Sequence, residues 1–129
     1  VPDRLLPLEK AGQVELFEGE TELFPGIRAV PTGGHTGGHF GLEIESEGEK
    51  LLYYADIFPM STHMAVAYVP ATDVYPLETM EIKRRLLPRI VDQDVVMAFD
   101  HDTKTPLARI VSEGKRYKAI SAAEAVDQT

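Results

Sequence analysis

The chain has 129 residues, 43% of them hydrophobic and 26% charged, which is the balance of one globular domain and not of a disordered chain. Acidic residues outnumber basic ones by 21 to 13, and without a basic cluster neither nucleic acid nor an anionic membrane is an expected partner. Cysteine is absent, which excludes disulfides and thiolate metal sites, and no apolar run is long enough to span a bilayer.

The first quarter of the chain predicts a lead-in and two short strands. Residues 1–13 mix proline, leucine and charge, which is typical of a short helix or an irregular segment. A short strand is predicted over Val14–Glu18, where Gly19 ends it. The turn signal Pro25-Gly26 then leads into a second strand at Ile27–Val30.

A glycine-rich loop follows this strand. Its sequence is Pro31-Thr32-Gly33-Gly34-His35-Thr36-Gly37-Gly38-His39, with four glycines in the last seven residues. Such a glycine content does not suit the interior of a strand or a helix. We therefore predict a sharply bent loop that carries two of the four histidines of the chain.

Two strands are predicted in the middle of the chain. Phe40, Leu42 and Ile44 alternate with polar or small residues, which predicts a half-buried strand with a wet acidic face. The apolar run Leu51–Ala55 predicts a strand covered on both faces, and Asp56 follows it. A buried carboxylate needs a partner, so a cation or an arginine is expected beside Asp56.

A loop over residues 57–76 contains three prolines, together with methionines and aromatic residues. It suits either the wall of a pocket or a segment packed on the core, and both interpretations stay open. A helix is predicted over Leu77–Val91, with Lys83 projecting away from its apolar face and a kink at Pro88.

The last quarter of the chain predicts a buried strand at Val95–Phe99, which delivers Asp100-His101-Asp102 at its end. A hairpin of two strands follows, over residues 108–112 and 116–120. The small, polar residues 121–129 are expected to fray, at the end of a single domain that spans 1–129.

Three possible metal ligands follow predicted strands: His35, Asp56 and His101. Functional groups collect at strand ends, where loops converge on a rigid sheet. Imidazole and carboxylate ligands suit zinc, iron or manganese. Spacing alone also allows a structural, hydrogen-bonded role for each histidine.

The same residues resemble a known family. The glycine-rich loop around His35 is similar to the P-T-P-G-H-T-P-G-H loop of the metallo-β-lactamase-fold hydrolases, with Gly33 and Gly37 in place of its prolines. Tyr54-Ala55-Asp56 and Phe99-Asp100-His101-Asp102 resemble the segments that carry later metal ligands in that superfamily. The segment 73–79, Asp-Val-Tyr-Pro-Leu-Glu-Thr, resembles its lactonase-like, quorum-quenching branch.

The resemblance implies an α/β (α+β) fold, namely the C-terminal half of an αββα sandwich with a mostly antiparallel or mixed sheet and flanking helices. It implies that His35 binds one metal, that His101 binds another, and that Asp56 bridges both and is the catalytic carboxylate. It also assigns a supporting or substrate-contacting role to four further residues: His39, His63, Tyr68 and Tyr75.

The implied cofactor is zinc, as two ions in the intact protein, with manganese or iron as alternatives. The implied reaction is hydrolysis of a small lactone or ester by a metal-bridging hydroxide. An esterase, a phosphotriesterase-like hydrolase or a glyoxalase-type thioesterase are the alternatives within this enzyme class. A cytoplasmic location is the default expectation.

The H-x-H-x-D-H motif of the superfamily does not occur in this sequence. The chain therefore resembles the C-terminal half of such an enzyme, for which we expect weak metal affinity and negligible turnover in isolation. One face of its sheet would lack a cover, which predicts a homo-oligomer or pairing with an N-terminal half. The alternative from another class is a non-catalytic half-domain or interaction module without metal.

Overall fold

The computed structural model describes residues 2–123, which form one seven-stranded mixed sheet with two α-helices. The strands lie in the sheet in their order along the chain. Two short 3₁₀ helices, Ala55–Ile57 and Ser61–Met64, lie between the fourth strand and the second helix. The elements are α1 (Pro2–Lys10), β1 (Thr21–Phe24), β2 (Ile27–Pro31), β3 (Phe40–Ser46), β4 (Glu49–Tyr53), α2 (Pro76–Gln93), β5 (Val96–Ala98), β6 (Leu107–Glu113) and β7 (Arg116–Ser121). The predicted fold class is confirmed.

The pair β4–β5 is the parallel pair of the sheet, and the other neighbouring strands are antiparallel. The chain returns from the end of β4 to the start of β5 through the loop that follows residue 56 and through α2. A parallel pair needs such a crossover, and α2 covers one face of the sheet as a result. The core lies between α2 and this face and includes Leu52, Met97, Ala108, Ile110, Ile82, Leu86, Leu87 and Ile90.

The strand predicted at Val14–Glu18 is wrong. Residues 13–18 have no regular structure, and Leu16 is 90% exposed. The first strand lies after Gly19, at Thr21–Phe24, and forms an antiparallel hairpin with β2 around the Pro25-Gly26 turn. Pairing with β2 decides the position of this strand, and the local composition of residues 14–18 does not.

The polarity predicted for β3 is also wrong. Glu43 lies opposite Leu52 in the register, so its side chain lies on the face that α2 covers. The Tyr54 hydroxyl donates a hydrogen bond to Glu43 over 2.8 Å, and Arg28 forms an ion pair with the same carboxylate. These two partners, which are distant in sequence, let an acidic side chain lie where alternation predicts water.

The other face of the sheet is mostly apolar, and the register also places Arg109 and Lys118 on it. Leu51 and Tyr53 on this face are only partly buried, so β4 is covered on one face, whereas the sequence predicted a strand covered on both faces. The register places these side chains there: Ile27, Phe40, Leu42, Ile44, Leu51, Tyr53, Val96, Ala98, Leu107, Val111 and Ile120. We call this set the open sheet face.

The helix α2 contains an unexpected buried lysine. Lys83 was predicted to point away from the core, but it is fully buried. Its ammonium group donates a hydrogen bond to the Tyr68 carbonyl over 2.5 Å and lies 5.2 Å from the centre of the Phe58 ring. It thereby fixes the loop after Asp56 to α2. The helix runs through Pro88 as one element and ends at Asp94 in the left-handed conformation.

The predicted frayed tail falls mostly outside the described residues, since 124–129 are not among them. Ser121 is the last residue of β7, and Ala122 and Ala123 follow it. Within residues 2–123, no helix combines the length and the apolar character that crossing a bilayer requires.

Burial lowers the pKa of Lys83 to about 8 from an ordinary value of 10.5. Between these two pH values the unfolded chain binds more protons than the folded one, so this lysine makes stability rise with pH. We expect the free energy of unfolding of the wild type, minus that of Lys83→Met, to increase by at most about 3 kcal/mol from pH 8 to pH 10.5.

Urea denaturation at several pH values measures this difference. Lys115→Met, at an exposed position in the last hairpin, is the matched control and should show no such increase. If the difference in unfolding free energy between wild type and Lys83→Met stays constant or falls with rising pH, the lowered pKa of the buried Lys83 is contradicted.

Candidate metal centre

Three segments that follow strands of the sheet converge at one edge. The loop after β2 carries His35, the 3₁₀ helix after β4 carries Asp56, and the turn after β5 carries His101. Because β4 and β5 are parallel, their carboxyl ends lie at the same edge, which brings Asp56 and His101 together. The structure thus brings together the three residues that the sequence predicts as metal ligands.

The Asp56 carboxylate lies between the two imidazoles. Its Oδ2 atom is 3.5 Å from Nε2 of His35, and its Oδ1 atom is 3.3 Å from Nε2 of His101. Two ligands of one tetrahedral ion with bonds of about 2.1 Å are roughly 3.4 Å apart. Each carboxylate oxygen is therefore placed to share one cation with one histidine, as a bridging ligand does.

His35 is oriented by a residue that the sequence analysis gave no role. Asp73, whose side chain is fully buried, lies with Oδ1 at 2.9 Å from Nδ1 of His35. An ionised carboxylate only accepts hydrogen bonds, so Nδ1 is the donor and Nε2 is left bare toward Asp56. Asp73 lies 38 positions from His35, and no short-range spacing signals the contact.

The backbone around this pair is fixed as well. The amide of Val74 donates to the His35 carbonyl over 3.0 Å, and the amide of Tyr75 donates to the Gly34 carbonyl over 2.9 Å. These hydrogen bonds fix the glycine-rich loop to the segment before α2. They therefore also fix the backbone that carries the His35 imidazole.

The backbone conformation before His35 requires glycine at two positions. Gly33 has φ +73°, which a proline cannot adopt, so the glycine found where the family has proline matches the observed backbone. Gly34 has φ +76°, and a Cβ atom there would lie 2.6 Å from Oγ1 of the buried Thr79. The loop thus approaches α2 too closely for any side chain at Gly34.

His39 closes the base of the same loop. Its Nδ1 atom lies 2.5 Å from the Thr32 hydroxyl, and its carbonyl accepts the amides of Thr32 and Gly33. Its ring meets the His35 ring edge to face at 5.7 Å. Burial, and then the neighbouring His35, lower the pKa of His39, which favours a neutral ring. These contacts agree with a supporting position for His39.

The His101 turn is held by its neighbour Asp102. The Asp102 carboxylate accepts hydrogen bonds from the amides of Ser61, Lys104 and Thr105 over 2.8–3.0 Å, and from the Ser61 hydroxyl. The Ser61 hydroxyl is the main cause that lowers the pKa of Asp102 to about 2. The carboxylate therefore ties the turn after β5 to the loop after Asp56.

A second carboxylate lies beside His101. Asp100 places Oδ2 at 3.6 Å from Nε2 of His101, and one donor atom each from Asp56, Asp100 and His101 lie within 4.8 Å of one another. The Tyr53 hydroxyl donates a hydrogen bond to Asp100 over 3.1 Å. The sequence signal for Asp100 was its position directly after the predicted strand Val95–Phe99, where only His101 was predicted as a ligand.

Three further residues were predicted to assist the site. His63 lies in the second 3₁₀ helix, with Nδ1 at 3.5 Å from the Thr62 hydroxyl, and burial lowers its pKa. Tyr68 is 62% exposed and lines a groove with Met64 and Tyr117. Tyr75 precedes α2, with its ring beside Gly37. A role of these three residues at the site stays a prediction.

Comparison with known proteins found no matching family model and no matching curated sequence. Solved structures do match. A probable metal-dependent hydrolase from Staphylococcus aureus is 32% identical over 86% of this chain, with a TM-score of 0.77. The hydrolase AbOPH of the beta-lactamase superfamily is 19% identical over 92% of this chain, with a TM-score of 0.75, and shows the fold.

An N-acyl homoserine lactone hydrolase, solved with its product at the catalytic metal centre, is 26% identical over 70% of this chain, with a TM-score of 0.60. The chain covers 40%, 42% and 36% of these three proteins, respectively. That the matching portion is the C-terminal one stays a prediction. The chain has the metallo-β-lactamase fold and resembles, over most of its length, a part of the metal-dependent hydrolases of that superfamily.

Proposed function

We propose that this chain supplies His35, Asp56 and His101 to a dinuclear metal centre of a hydrolase. The observation that carries the proposal is the position of the Asp56 carboxylate, with one oxygen 3.5 Å from His35 and the other 3.3 Å from His101. Among the described residues, Asp56 forms its ion pairs with these two histidines and with no lysine or arginine. A pair of cations would fit the distances from Asp56 to the two histidines and would balance the negative charge of its carboxylate.

The donor set suits zinc, with manganese or iron as alternatives, because it combines imidazole and carboxylate. Two divalent cations bound there would supply Lewis acidity and a nucleophilic water at neutral pH. Asp73 holds His35 with Nε2 bare, and Asp102 holds the turn of His101. The positions of both imidazoles around the Asp56 carboxylate are then fixed.

We propose a small lactone or ester as the substrate. The likeness to an N-acyl homoserine lactone hydrolase and the segment 73–79 support this choice. His101 is 60% exposed, so a substrate carbonyl can reach this side of the site from solvent. The chain spans less than half of the matched proteins, so activity and substrate are proposals about the whole protein. We keep the cytoplasm as the proposed location.

Asp56→Asn tests the metal centre, because it keeps the shape of the bridging side chain but removes its charge. Calorimetric titration of the product of the complete reading frame with Zn²⁺ should show binding by the wild type and a loss at both positions in Asp56→Asn. The matched control is Asp92→Asn, which makes the same change at an exposed position near the end of α2. Equal and negligible binding by all three proteins would favour a module without metal.

The product of the complete reading frame is the right material for the reaction. We expect it to open an N-acyl homoserine lactone faster than it cleaves an aryl ester, a phosphotriester or a thioester, and Asp56→Asn to lose this activity. Preference for one of the other three substrates would overturn the lactone assignment, while the metal centre would stand.

Asp73→Asn tests the orientation of His35. The loss of a carboxylate that supports a metal-binding histidine typically lowers metal affinity by about 10–100-fold. Nitrogen-15 NMR of the histidine rings without metal should show Nδ1 of His35 protonated in the wild type. A second variant, Asp73→Ala, removes the hydrogen-bond acceptor altogether and should show less of this tautomer. An unchanged tautomer and an unchanged affinity would show that Asp73 has only a packing role.

We also propose that a second apolar sheet covers the open sheet face, either that of a second copy or that of an N-terminal half. A contiguous apolar surface of this kind marks an interaction site. The 129-residue chain should elute as a dimer or a larger species in light-scattering chromatography, and Leu51→Lys should shift it toward monomer. Leu77→Lys, at a position that is 78% exposed on α2, should not. A compact wild-type monomer would contradict the proposal.

A further inference from the structure

The carboxylates of Asp56 and Asp100 lie near each other beside His101, and neither forms an ion pair with a lysine or arginine among the described residues. One oxygen of Asp56 and one of Asp100 lie within 4.8 Å of each other and of the His101 ring. Within residues 2–123, the ion pairs of both carboxylates are with histidines, and no lysine or arginine approaches them. Two like charges at this distance repel each other, unless a cation lies between them or one of them is protonated.

We propose that Asp100 is a third ligand of the cation that His101 and Asp56 hold, and that it makes this position favour harder cations than the His35 position does. The inference rests on the proposed metal centre. The distance of 3.6 Å from Asp100 to Nε2 of His101, like the 3.3 Å from Asp56, is near the roughly 3.4 Å between two ligands of one tetrahedral ion.

The Tyr53 hydroxyl fixes the carboxylate that makes this contact. It donates to Oδ2 of Asp100 over 3.1 Å from the neighbouring strand β4. Burial, and then the charge of Asp100, raise the pKa of Tyr53, so the hydroxyl keeps its proton and remains a donor. A carboxylate oxygen accepts more than one contact, so this hydrogen bond leaves room for a metal.

The two metal positions would then differ in chemistry. The described residues offer two carboxylates and one imidazole at the His101 position, but one carboxylate and one imidazole at the His35 position. Carboxylate-rich sites suit Mn²⁺ and Mg²⁺, whereas imidazole favours zinc and iron. Zinc binds more strongly than manganese to most sites, so the expected effect is a change in their ratio and not a reversal.

The test titrates the product of the complete reading frame with Mn²⁺, followed by the electron paramagnetic resonance signal of the free ion, and with Zn²⁺ against a chromophoric chelator. Asp100→Asn should lower the Mn²⁺ affinity by at least about tenfold and the Zn²⁺ affinity by less. Tyr53→Phe should change the ratio in the same direction by a smaller factor. Asp92→Asn should leave both affinities unchanged.

The outcomes separate this inference from the proposed function. If Asp100→Asn binds both ions as the wild type does, while Asp56→Asn does not, Asp100 is not a ligand and the metal centre stands. If the wild type binds no better than Asp56→Asn, both proposals fail.

A wild-type measurement covers the case in which Asp100→Asn does not fold. Bound Mn²⁺ should broaden the carboxylate carbon-13 signal of Asp100 as strongly as that of Asp56, and a signal that stays sharp would overturn the inference.

Discussion

The parallel alignment of β4 and β5 is the constraint on which the site depends. All other neighbouring strands are antiparallel, so their successive ends alternate between the two edges of the sheet. The one parallel pair places the residues after two strands, Asp56 and His101, at the same edge. The connection this requires, a long loop and α2, also covers one sheet face and supplies Thr79, against which the His35 loop packs.

Buried polar contacts, and not hydrophobic packing alone, then fix the ligands at that edge. Asp73 orients His35, Asp102 ties the His101 turn to Ser61, and Lys83 ties the loop after Asp56 to α2 through the Tyr68 carbonyl. A polar group that is buried with a partner at a defined angle specifies direction, which an apolar contact does not. This is what a metal ligand needs, because its donor atom must be placed to within about 0.5 Å.

The sequence predicted those features of the site that are local. A strand followed by a chemically distinctive residue identified Asp56 and His101, and the glycine-rich loop identified His35. Asp73 and Lys83 were missed because their partners lie 38 and 15 positions away. Glu43 contradicted the alternation rule for the same reason: the partners that allow its burial are Arg28 in β2 and Tyr54 directly after β4.

For the fold as well, the sequence predicted local features but not those that depend on residues distant in the chain. Periodicity and turn residues located most strands to within a few residues, but β1 was misplaced because its position depends on pairing with β2 and not on its own composition. The open sheet face was expected from the family resemblance alone. Alternation can show that a strand has an apolar side, but it cannot show which side α2 will cover.

The three proposed ligands differ in their exposure, and this difference bears on how the site is completed. His35 is 20% exposed and enclosed by its loop and by Asp73, whereas His101 is 60% exposed. A catalytic metal keeps part of its coordination sphere for water or substrate and takes the rest from protein. The enclosed side of the site is already built by this chain. Further protein ligands would have to approach from the exposed side, and the substrate needs access there too.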